Sequence, residues 1–463
     1  MKQLEIWGGV ECSHCRVGDG YSDQLTRSGH WHRLTDLDAL ADLGLKTLRY
    51  PVLWEHTSPD TPDACDWTWA DERLPRLREL GINPIVGLVH HGSGPRYTAL
   101  HEDTFAAGLA RHAAHVARRF PWLTHFTPVN EPLTTARFSA LYGHWYPHTR
   151  DDRTFVRALL NQLDATRQAM RAIREIIPHA QFVQTEDLAQ VHSTPAMRYQ
   201  ADFENCRRWL SFDILCGRVT PEHPFWGYLR QHGADEAELR GWLADPCPPD
   251  VLGLNHYLTS ERFLDEAPEH YWPCHTADNG RHRYADTEAV RVGGGVTLAG
   301  VTSLLLQAWQ RYRLPVAITE AHLNCTRDEQ VRWLHYVWES ARAAREAGAD
   351  VRAVTVWSVF GAYDWVSLLT RAADHYEAGV FDVGSGQPRP TLLAKWVRAL
   401  AHGRPFRHPV LHSLGWWQRP GRVHFEPSSP PEVSLAPKRG AGPLGRAAKP
   451  ARANAPQTLE YAA

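Results

Sequence analysis

The sequence lacks the features that would assign it to a membrane, a nucleic acid or an oxidising compartment. No stretch approaches the roughly 20 consecutive apolar residues of a membrane-spanning helix, and the start, "MKQLEIWGGV", has no long apolar run. Lys and Arg number 50 against 52 Asp and Glu, so the formal net charge of -2 offers no general attraction to nucleic acid. The eight cysteines are widely spread, which favours reduced thiols. We therefore expect a cytoplasmic protein with a small, neutral partner and neither a nucleic-acid nor a membrane partner.

Signals for a cofactor or a metal are also missing. The first predicted strand is not followed by the glycine fingerprint of a dinucleotide site. Cys12 and Cys15 in "CSHC" have the spacing of a metal or redox pair, but no second such pair completes a four-ligand site. We expect no cofactor and no metal, and we expect these cysteines to line or underlie a pocket.

Short β-rich runs alternate with longer segments of helical period, which is typical of repeated βα units around a parallel sheet. Eight runs qualify as strands: "EIWGGVEC" from residue 5, "KTLRYPVLW" from 46, "INPIVGLVHH" from 82, "HFTPVNE" from 125, "AQFVQTED" from 180, "DVLGLNHY" from 250, "PVAITEA" from 315 and "VRAVTVWSVF" from 351. Helical patterns such as "TFAAGLARHAAHVARRF" lie between them. Eight such units predict a closed (β/α)8 barrel, a TIM barrel, in preference to an open doubly wound sheet.

Two segments depart from this alternation. A long polar stretch, residues 259 to about 298, follows the sixth strand and is interpreted as either a wall of the active face or a loose excursion. The end of the chain is rich in Pro, Ala and basic residues with little to bury. We expect residues 1–425 to form one catalytic domain and residues 426–463 to be a disordered tail or linker.

Two glutamates end predicted strands of the barrel. Glu131 ends the fourth strand in "FTPVNEPLTT", and Glu320 ends the seventh in "AITEAH". Carboxyl ends of barrel strands surround the active face, so the two carboxyl groups can face each other over a ligand. A separation of about 5 to 5.5 Å suits a retaining glycosidase and roughly 6.5 to 9.5 Å suits an inverting one, and the sequence leaves that choice open. The alternative is that each glutamate is a solvated acid at a strand end.

Neighbouring residues suggest different roles for the two acids. Arg49 ends the second strand and could keep a nearby carboxylate ionised, while Tyr257 could donate a hydrogen bond to it. Asn130 beside Glu131 offers a donor and an acceptor for a sugar hydroxyl. With less cationic company, Glu131 would keep its proton and act as the acid.

These motifs resemble glycoside hydrolase family 1, the β-glucosidase-like retaining barrels, over about residues 5 to 402. Asn-Glu-Pro at 130–132 matches the acid/base motif of that family, and Thr319–Glu320 matches the start of its nucleophile motif. The resemblance implies a retaining β-glycosidase with Glu131 as acid/base, Glu320 as nucleophile and a β-glycoside or small oligosaccharide as substrate. It further implies sugar contacts from Asn130, Arg49, His90, Asn255, Tyr257, Trp357, Asp364 and Trp365.

Several positions depart from the pattern of that family. Ala321 and His322 replace the Asn-Gly of the nucleophile motif, and Asp364 replaces a longer Glu. Glu11 lies in the first-strand segment that normally leads to a Gln. An altered sugar pocket is therefore expected, and a phosphorylated sugar is disfavoured because the Lys and Tyr of the phospho-glycosidases are absent.

Two alternatives to hydrolysis remain open from the sequence. A transglycosylase would use the same two glutamates with a sugar acceptor in place of water. A saccharide-binding barrel without turnover would explain the altered first strand. Glu186, at the end of the fifth strand in "QTED", is interpreted as either a pocket acid or a solvated loop acid. The roles of Cys12 and Cys15, the sugar, its linkage and the oligomeric state are not indicated by the sequence.

Overall fold

The computed structural model of the protein describes residues 3–431. Within that range eight parallel strands close into a barrel, in the order in which they occur along the chain. They are β1 Glu5–Gly9, β2 Thr47–Pro51, β3 Asn83–His90, β4 His125–Asn130, β5 Gln181–Asp187, β6 Val251–Asn255, β7 Val316–Ala321 and β8 Val351–Val356. Each lies inside a run predicted as a strand, so the (β/α)8 barrel is confirmed.

Helices surround the barrel. The helices between successive strands, and the one after β8, are α1 Asp36–Asp42, α2 Thr68–Glu79, α3 Thr104–Arg119, α4 Asp152–Ile176, α5 Leu210–Leu215, α6 Gly300–Tyr312, α7 Arg327–Glu346 and α8 Leu392–Ala401. Further helices cover Gln24–Arg27, Trp54–Thr57, Pro132–Ala136, Arg198–Arg207, Trp226–Gln231 and Glu236–Ala244. No helix within residues 3–431 is long and apolar enough to cross a membrane.

The barrel interior is filled by side chains from alternate strands. Trp7 of β1, Ile85 of β3, Val183 of β5 and Ala317 of β7 form a separate buried cluster with Ala353. Side chains from alternate strands form layers inside a (β/α)8 barrel, so its centre is a packed core and not a pore. The open end that remains is the face where the carboxyl ends of the strands meet.

The long segment after β6 folds into a small sheet of its own. Its strands Arg262–Asp265, Thr276–Asp278 and Arg283–Glu288 join Val191–Ser193, which follows β5, in a four-stranded sheet. The segment has its own apolar cluster, comprising Phe263, Tyr271, Ala285, Ala289, Val292, Val296 and Phe425. The segment is therefore a packed sheet with its own apolar cluster beside the barrel, and the alternative of a loose excursion is wrong.

Phe425 belongs to the end of the described chain and fastens this sheet. Its backbone bridges to Val292, and its ring lies 4.9 Å from that of Tyr271. Three residues later, Ser428 donates hydrogen bonds from its backbone N–H and its hydroxyl to Asp265. The predicted tail thus begins with residues that contact the sheet. Residues 432–463 lie outside the described residues, and the predicted tail and domain boundary stay predictions.

We expect Phe425→Ala to loosen the inserted sheet. The ring is 5 % exposed, and removing a buried aromatic ring costs about 3 kcal/mol or more of folding free energy. Limited proteolysis under native conditions should cleave faster between residues 266 and 299, because the loss is local. Leu414→Ala is the control, since that side chain is 57 % exposed. Equal cleavage rates in the two variants would contradict the fastening role.

Candidate active site

The two strand-end glutamates are buried at the mouth of the barrel. Glu131 directly follows β4 and Glu320 is the fifth residue of β7. They are 5 % and 3 % exposed, so neither is a solvated acid. Burial raises the pKa of a carboxyl group because it disfavours the charged form, and the surrounding hydrogen bonds and charges determine the size of the rise.

Glu320 has a cationic partner. The guanidinium of Arg49 donates to its Oε1 at 2.7 Å and to the backbone oxygen of Thr319 at 2.9 Å. The hydroxyl of Tyr257 donates to its other oxygen, Oε2. Burial raises the pKa of Glu320 to about 7, while Arg49 and Tyr257 act in the opposite direction. The surroundings of Glu320 therefore favour the ionised form more than those of Glu131 do.

No residue between 3 and 431 places such a cation in contact with Glu131. Its Oε1 accepts a hydrogen bond from Asn255 at 2.6 Å, and its Oε2 lies 3.8 Å from Nε2 of His91. Burial lowers the pKa of His91 to about 3, so this imidazole is neutral at pH 7. Burial, with the negative charges of Glu320 and Asp187, raises the pKa of Glu131 well above its ordinary value. Glu131 thus retains its proton when Glu320 has lost its own.

Asn130 connects the groups between the two acids. Its Oδ1 accepts from Arg49 and from the hydroxyl of Thr185, both at 2.7 Å. Its Nδ2 lies 3.1 Å from Nε2 of His90 and 3.4 Å from Nε2 of His91. The structure thus brings Asn130, Arg49 and His90 together as one network, and the amide is held by protein groups on both sides.

Trp357 and Glu11 form the wall next to that network. The indole of Trp357 is stacked on His90 with centroids 5.5 Å apart, and it donates to Oε2 of Glu11 at 3.1 Å. Oε1 of Glu11 accepts from the N–H of Ser13 at 2.9 Å and from its hydroxyl at 2.5 Å. Burial raises the pKa of Glu11, and its negative charge in turn raises the pKa of Glu320. A third carboxyl group therefore stands in the site.

The carboxylate of Asp364 is already bound by other groups of the protein. Its Oδ2 accepts from Arg27 at 2.6 Å and from the N–H of Ala373 at 3.0 Å, and its Oδ1 accepts from the N–H of His375 at 2.8 Å. The side chain is fully buried, so its oxygens order a loop and are not available to a ligand in this conformation. Trp365, next in the chain, lies edge-on to His91 with centroids 5.5 Å apart and so borders the mouth.

Two residues at the site, Thr319 and Asp187, were given no contact or role on the basis of the sequence. Thr319 donates to Oδ1 of Asn255 at 2.7 Å and so orients the amide that contacts Glu131. Asp187, at the end of β5, accepts from Ser260 at 2.8 Å. Their position at the ends of barrel strands was the available signal.

Glu186 is neither a pocket acid nor a solvated loop acid. It is fully buried and accepts hydrogen bonds from the backbone N–H groups of Leu133 and Thr134 at 2.8 and 3.2 Å. The hydroxyls of Thr134 and Ser211 donate to it as well, at 3.0 and 2.8 Å. Glu186 therefore fixes the short helix that follows Glu131.

Cys12 and Cys15 are both buried, and Cys15 donates to the backbone oxygen of His91 at 3.3 Å. None of the eight cysteines of the sequence, all of which lie in the described range, forms a disulfide there. The contact of Cys15 with His91 agrees with the expectation that this cysteine underlies the pocket.

The arrangement pairs a carboxyl group that ionises more readily with one that retains its proton more strongly, in a site largely shielded from water. An ionised carboxylate can attack an electrophilic carbon, and a carboxylic acid can protonate a leaving group. Two carboxyl groups with pKa values held apart by different surroundings are the usual basis for such a division of roles.

Comparison with known proteins agrees with this chemistry. A family model described as "Glycosyl hydrolase family 1" matches residues 6–373. A 6-phospho-beta-glucosidase of Dickeya chrysanthemi is 24 % identical over 373 residues, covering 73 % of this chain and 76 % of the relative. Beta-glucosidase 47 of Arabidopsis thaliana is 21 % identical over 457 residues, covering 90 % and 82 %. The solved structure of a family 1 β-glucosidase from Thermotoga maritima superimposes with a TM-score of 0.69 at 17 % identity, covering 88 % of this chain and 99 % of that one.

We expect Glu186→Ala to destabilise the fold through the helix that follows Glu131. The change leaves buried N–H groups of Leu133 and Thr134 without an acceptor, at a cost of about 1–3 kcal/mol for each unsatisfied group. In urea denaturation, Glu186→Ala should have a lower midpoint than Glu269→Ala, in which the same truncation is made at an exposed side chain. Equal midpoints would mean that Glu186 does not hold this helix.

Proposed function

The chain belongs to glycosyl hydrolase family 1 and is a glycoside hydrolase, and from this premise we propose a retaining mechanism in which Glu320 is the nucleophile and Glu131 the acid/base. The observation that carries the proposal is the unequal surroundings of the two carboxyl groups. Glu320 is bound by the guanidinium of Arg49, whereas Glu131 is bound by the neutral amide of Asn255.

The first half of the proposed reaction forms a covalent intermediate. The carboxylate of Glu320 attacks the anomeric carbon, and the bond between that carbon and the leaving oxygen breaks. Glu131 gives its proton to this oxygen, so the alcohol departs neutral. The hydroxyl of Tyr257, which donates to Glu320, would hold the attacking carboxylate in place.

The second half reverses the roles. Glu131, now a carboxylate, removes a proton from a water molecule, and the water oxygen displaces Glu320 from the anomeric carbon. The sugar leaves with its original anomeric configuration, and both glutamates return to their starting states. Because both acids are buried, other water molecules would have little access, and the reacting water would be the one that Glu131 positions.

We propose that Arg49, Asn130, His90, Asn255, Tyr257, Trp357 and Trp365 surround the sugar, with Glu11 as an additional wall. Support comes from the hydrogen bonds that link Asn130 to Arg49 and to His90, and Trp357 to Glu11. Asp364 would act as a positioning residue for the loop carrying Trp365, because its oxygens already accept from Arg27 and backbone N–H groups.

The preferred sugar in this proposal carries no phosphate. Glu11, Glu131 and Glu320 make the site rich in carboxyl groups, and a phosphate dianion beside Glu11 would be repelled. Two relatives are named as acting on phosphorylated glucosides, so the aryl β-glucoside and its 6-phosphate should be compared directly. We also propose a cytoplasmic location, which is supported by the eight cysteines lying in the described range without a disulfide.

Glu320→Ala and Glu131→Ala should both abolish turnover of an aryl β-glycoside that the intact protein cleaves. We expect kcat to fall by about 10⁴-fold for the nucleophile and by about 10²–10⁴-fold for the acid/base. Added azide should occupy the vacated carboxylate space and form opposite products. Glu320→Ala should yield the α-glycosyl azide by one displacement, and Glu131→Ala should yield the β-glycosyl azide by two.

The products also separate the proposal from its alternatives. If Glu320→Ala yielded the β-glycosyl azide and Glu131→Ala the α-glycosyl azide, the roles of the two glutamates would be reversed. Transfer to an added sugar acceptor in preference to water would identify a transglycosylase. Binding of β-glycosides by a folded protein without any release of aryl alcohol would identify a saccharide-binding barrel.

Two further variants should shift the acidic limb of the pH profile in opposite directions. The acidic limb of kcat/KM reports ionisation of the nucleophile in the free enzyme. Glu11 raises the pKa of Glu320, so Glu11→Gln should move this limb to lower pH by about half to one unit. Tyr257 lowers that pKa, so Tyr257→Phe should move the limb to higher pH by a similar amount.

Shifts of the acidic limb in opposite directions in the two variants would distinguish a change in the pKa of Glu320 from general damage to the site. A loosened pocket would change kcat/KM at all pH values without moving the limb in a direction set by the lost group. Shifts of the same sign in both variants, or no shift in either, would contradict the roles given to Glu11 and Tyr257.

A further inference from the structure

A group of two histidines and one aspartate lies in the first two loops at the mouth of the barrel, apart from the contacts of Glu131 and Glu320. His14 and Asp23 are directly opposite each other in the antiparallel hairpin formed by His14–Val17 and Gly20–Asp23. His56 comes from the short helix Trp54–Thr57 that follows β2. One ligand atom from each of the three residues lies within 4.8 Å of the others.

Two of the three separations between these atoms are close to those around a tetrahedral metal ion. Nε2 of His56 is 3.0 Å from Nδ1 of His14 and 3.3 Å from Oδ2 of Asp23. Bonds of about 2.0–2.2 Å in a tetrahedral zinc site hold ligand atoms roughly 3.3 Å apart. Small side-chain movements would therefore bring all three atoms to bonding distance of one ion.

Hydrogen bonds alone do not satisfy all three facing atoms of this group, because too few protons are shared among them. If Nε2 of His56 carries the proton, one N–H faces two acceptors, Nδ1 of His14 and Oδ2 of Asp23. If His14 carries the proton instead, the lone pair of His56 faces the carboxylate of Asp23. A cation placed between the three atoms would satisfy every lone pair at once, which no single proton can do.

Neighbouring groups fix the orientation of each side chain. The ring of His14 is stacked on Tyr21 at 4.7 Å between centroids, and that of His56 lies edge-on to Trp31, also at 4.7 Å. Oδ2 of Asp23 accepts from the hydroxyl of Thr26 at 2.7 Å. Partners of this kind hold metal ligands in place before the ion arrives.

An ion could reach the group from solvent. The side chains of His56 and Asp23 are 14 % and 22 % exposed, and His56 also borders a cavity of about 410 Å³ lined by Trp31, Trp69 and Arg73. A water molecule could supply the fourth ligand. Two imidazoles, one carboxylate and water form a donor set suited to zinc.

We propose that His14, Asp23 and His56 form a binding site for a divalent transition-metal ion of the zinc type. The ion would join the first loop, which carries Glu11, to the second loop, which begins after Pro51. The motif "CSHC" would thus contribute its histidine and not its cysteines. The site is structural in this proposal, because the proposed reaction at Glu131 and Glu320 uses no step at these residues.

Calorimetric titration of chelator-treated full-length protein with Zn²⁺ tests the proposal, and Co²⁺ titration followed by visible absorption reports the coordination geometry. We expect one equivalent to bind with a micromolar or tighter Kd and the cobalt spectrum of a tetrahedral site. The affinity should fall at least about tenfold in His56→Ala and in Asp23→Asn. Zn²⁺ should raise the Tm of the intact protein and not that of His56→Ala.

His115→Ala is the matched control. His115 lies 3.5 Å from the thiol of Cys65, which makes this pair a competing place for zinc elsewhere in the described chain. The control should bind Zn²⁺ as the intact protein does. Asp23→Asn preserves the shape of the side chain, so it remains informative if His56→Ala folds poorly.

Three results would overturn the proposal. The first is the absence of saturable binding tighter than about 100 µM, a weak affinity for a preformed site of three protein ligands. The second is unchanged binding in both His56→Ala and Asp23→Asn. The third is loss of binding in His115→Ala alone, which would assign the ion to the Cys65 pair.

Discussion

The buried guanidinium of Arg49 is the interaction on which the mouth of the barrel depends. It comes from β2 and bonds to Glu320 of β7 and Asn130 of β4, so it joins three strands around the opening. The planar fork of an arginine suits this task, because its donors leave in fixed directions. Removing one partner of a buried ion pair is strongly destabilising, by about 3–5 kcal/mol, so the network specifies the site and the local fold together.

The same cation divides the acids of the site into two kinds. Glu320 is beside Arg49, whereas Glu131 is surrounded by Asn255, the neutral ring of His91 and the negative charge of Asp187. Negative charge without a bound cation favours the protonated form. The proposed roles of nucleophile and acid/base therefore follow from where one positive charge has been placed, and not from any difference between the two side chains.

Much of the fold could be predicted from the sequence because its signals are local. The β-rich runs placed all eight barrel strands, and the position of Glu131 and Glu320 at strand ends indicated the mouth. Long-range contacts were not predictable in this way. The pairing of Asp364 with Arg27 joins residues 337 positions apart, and Phe425 reaches back to Tyr271.

The roles of two further acids could not be predicted for a related reason. Glu186 follows the strand pattern of β5, yet its oxygens accept from the helix after Glu131, and no periodicity encodes that contact. The sequence shows Glu11 only as a departure from the family pattern in the first-strand segment, because its bond to Trp357 depends on closure of the barrel between β1 and β8.

Both proposed catalytic glutamates stand where regular strand geometry is interrupted. Side chains of a strand alternate between its two faces, so consecutive residues cannot both point into the mouth. Asn130 and Glu131 nevertheless both contact residues of the site, as do Thr319 and Glu320.

The backbone accounts for each exception. Glu131 has a φ of 47°, in the left-handed region, and its N–H is held by the backbone oxygen of Thr185. The pairing of β7 with β6 shifts register between Ile318 and Glu320, as a β-bulge does. A left-handed residue other than glycine costs about 1–3 kcal/mol, and such strain persists where surrounding contacts impose it. Irregular backbone at two strand ends is thus what allows each acid and its neighbour to serve the same site.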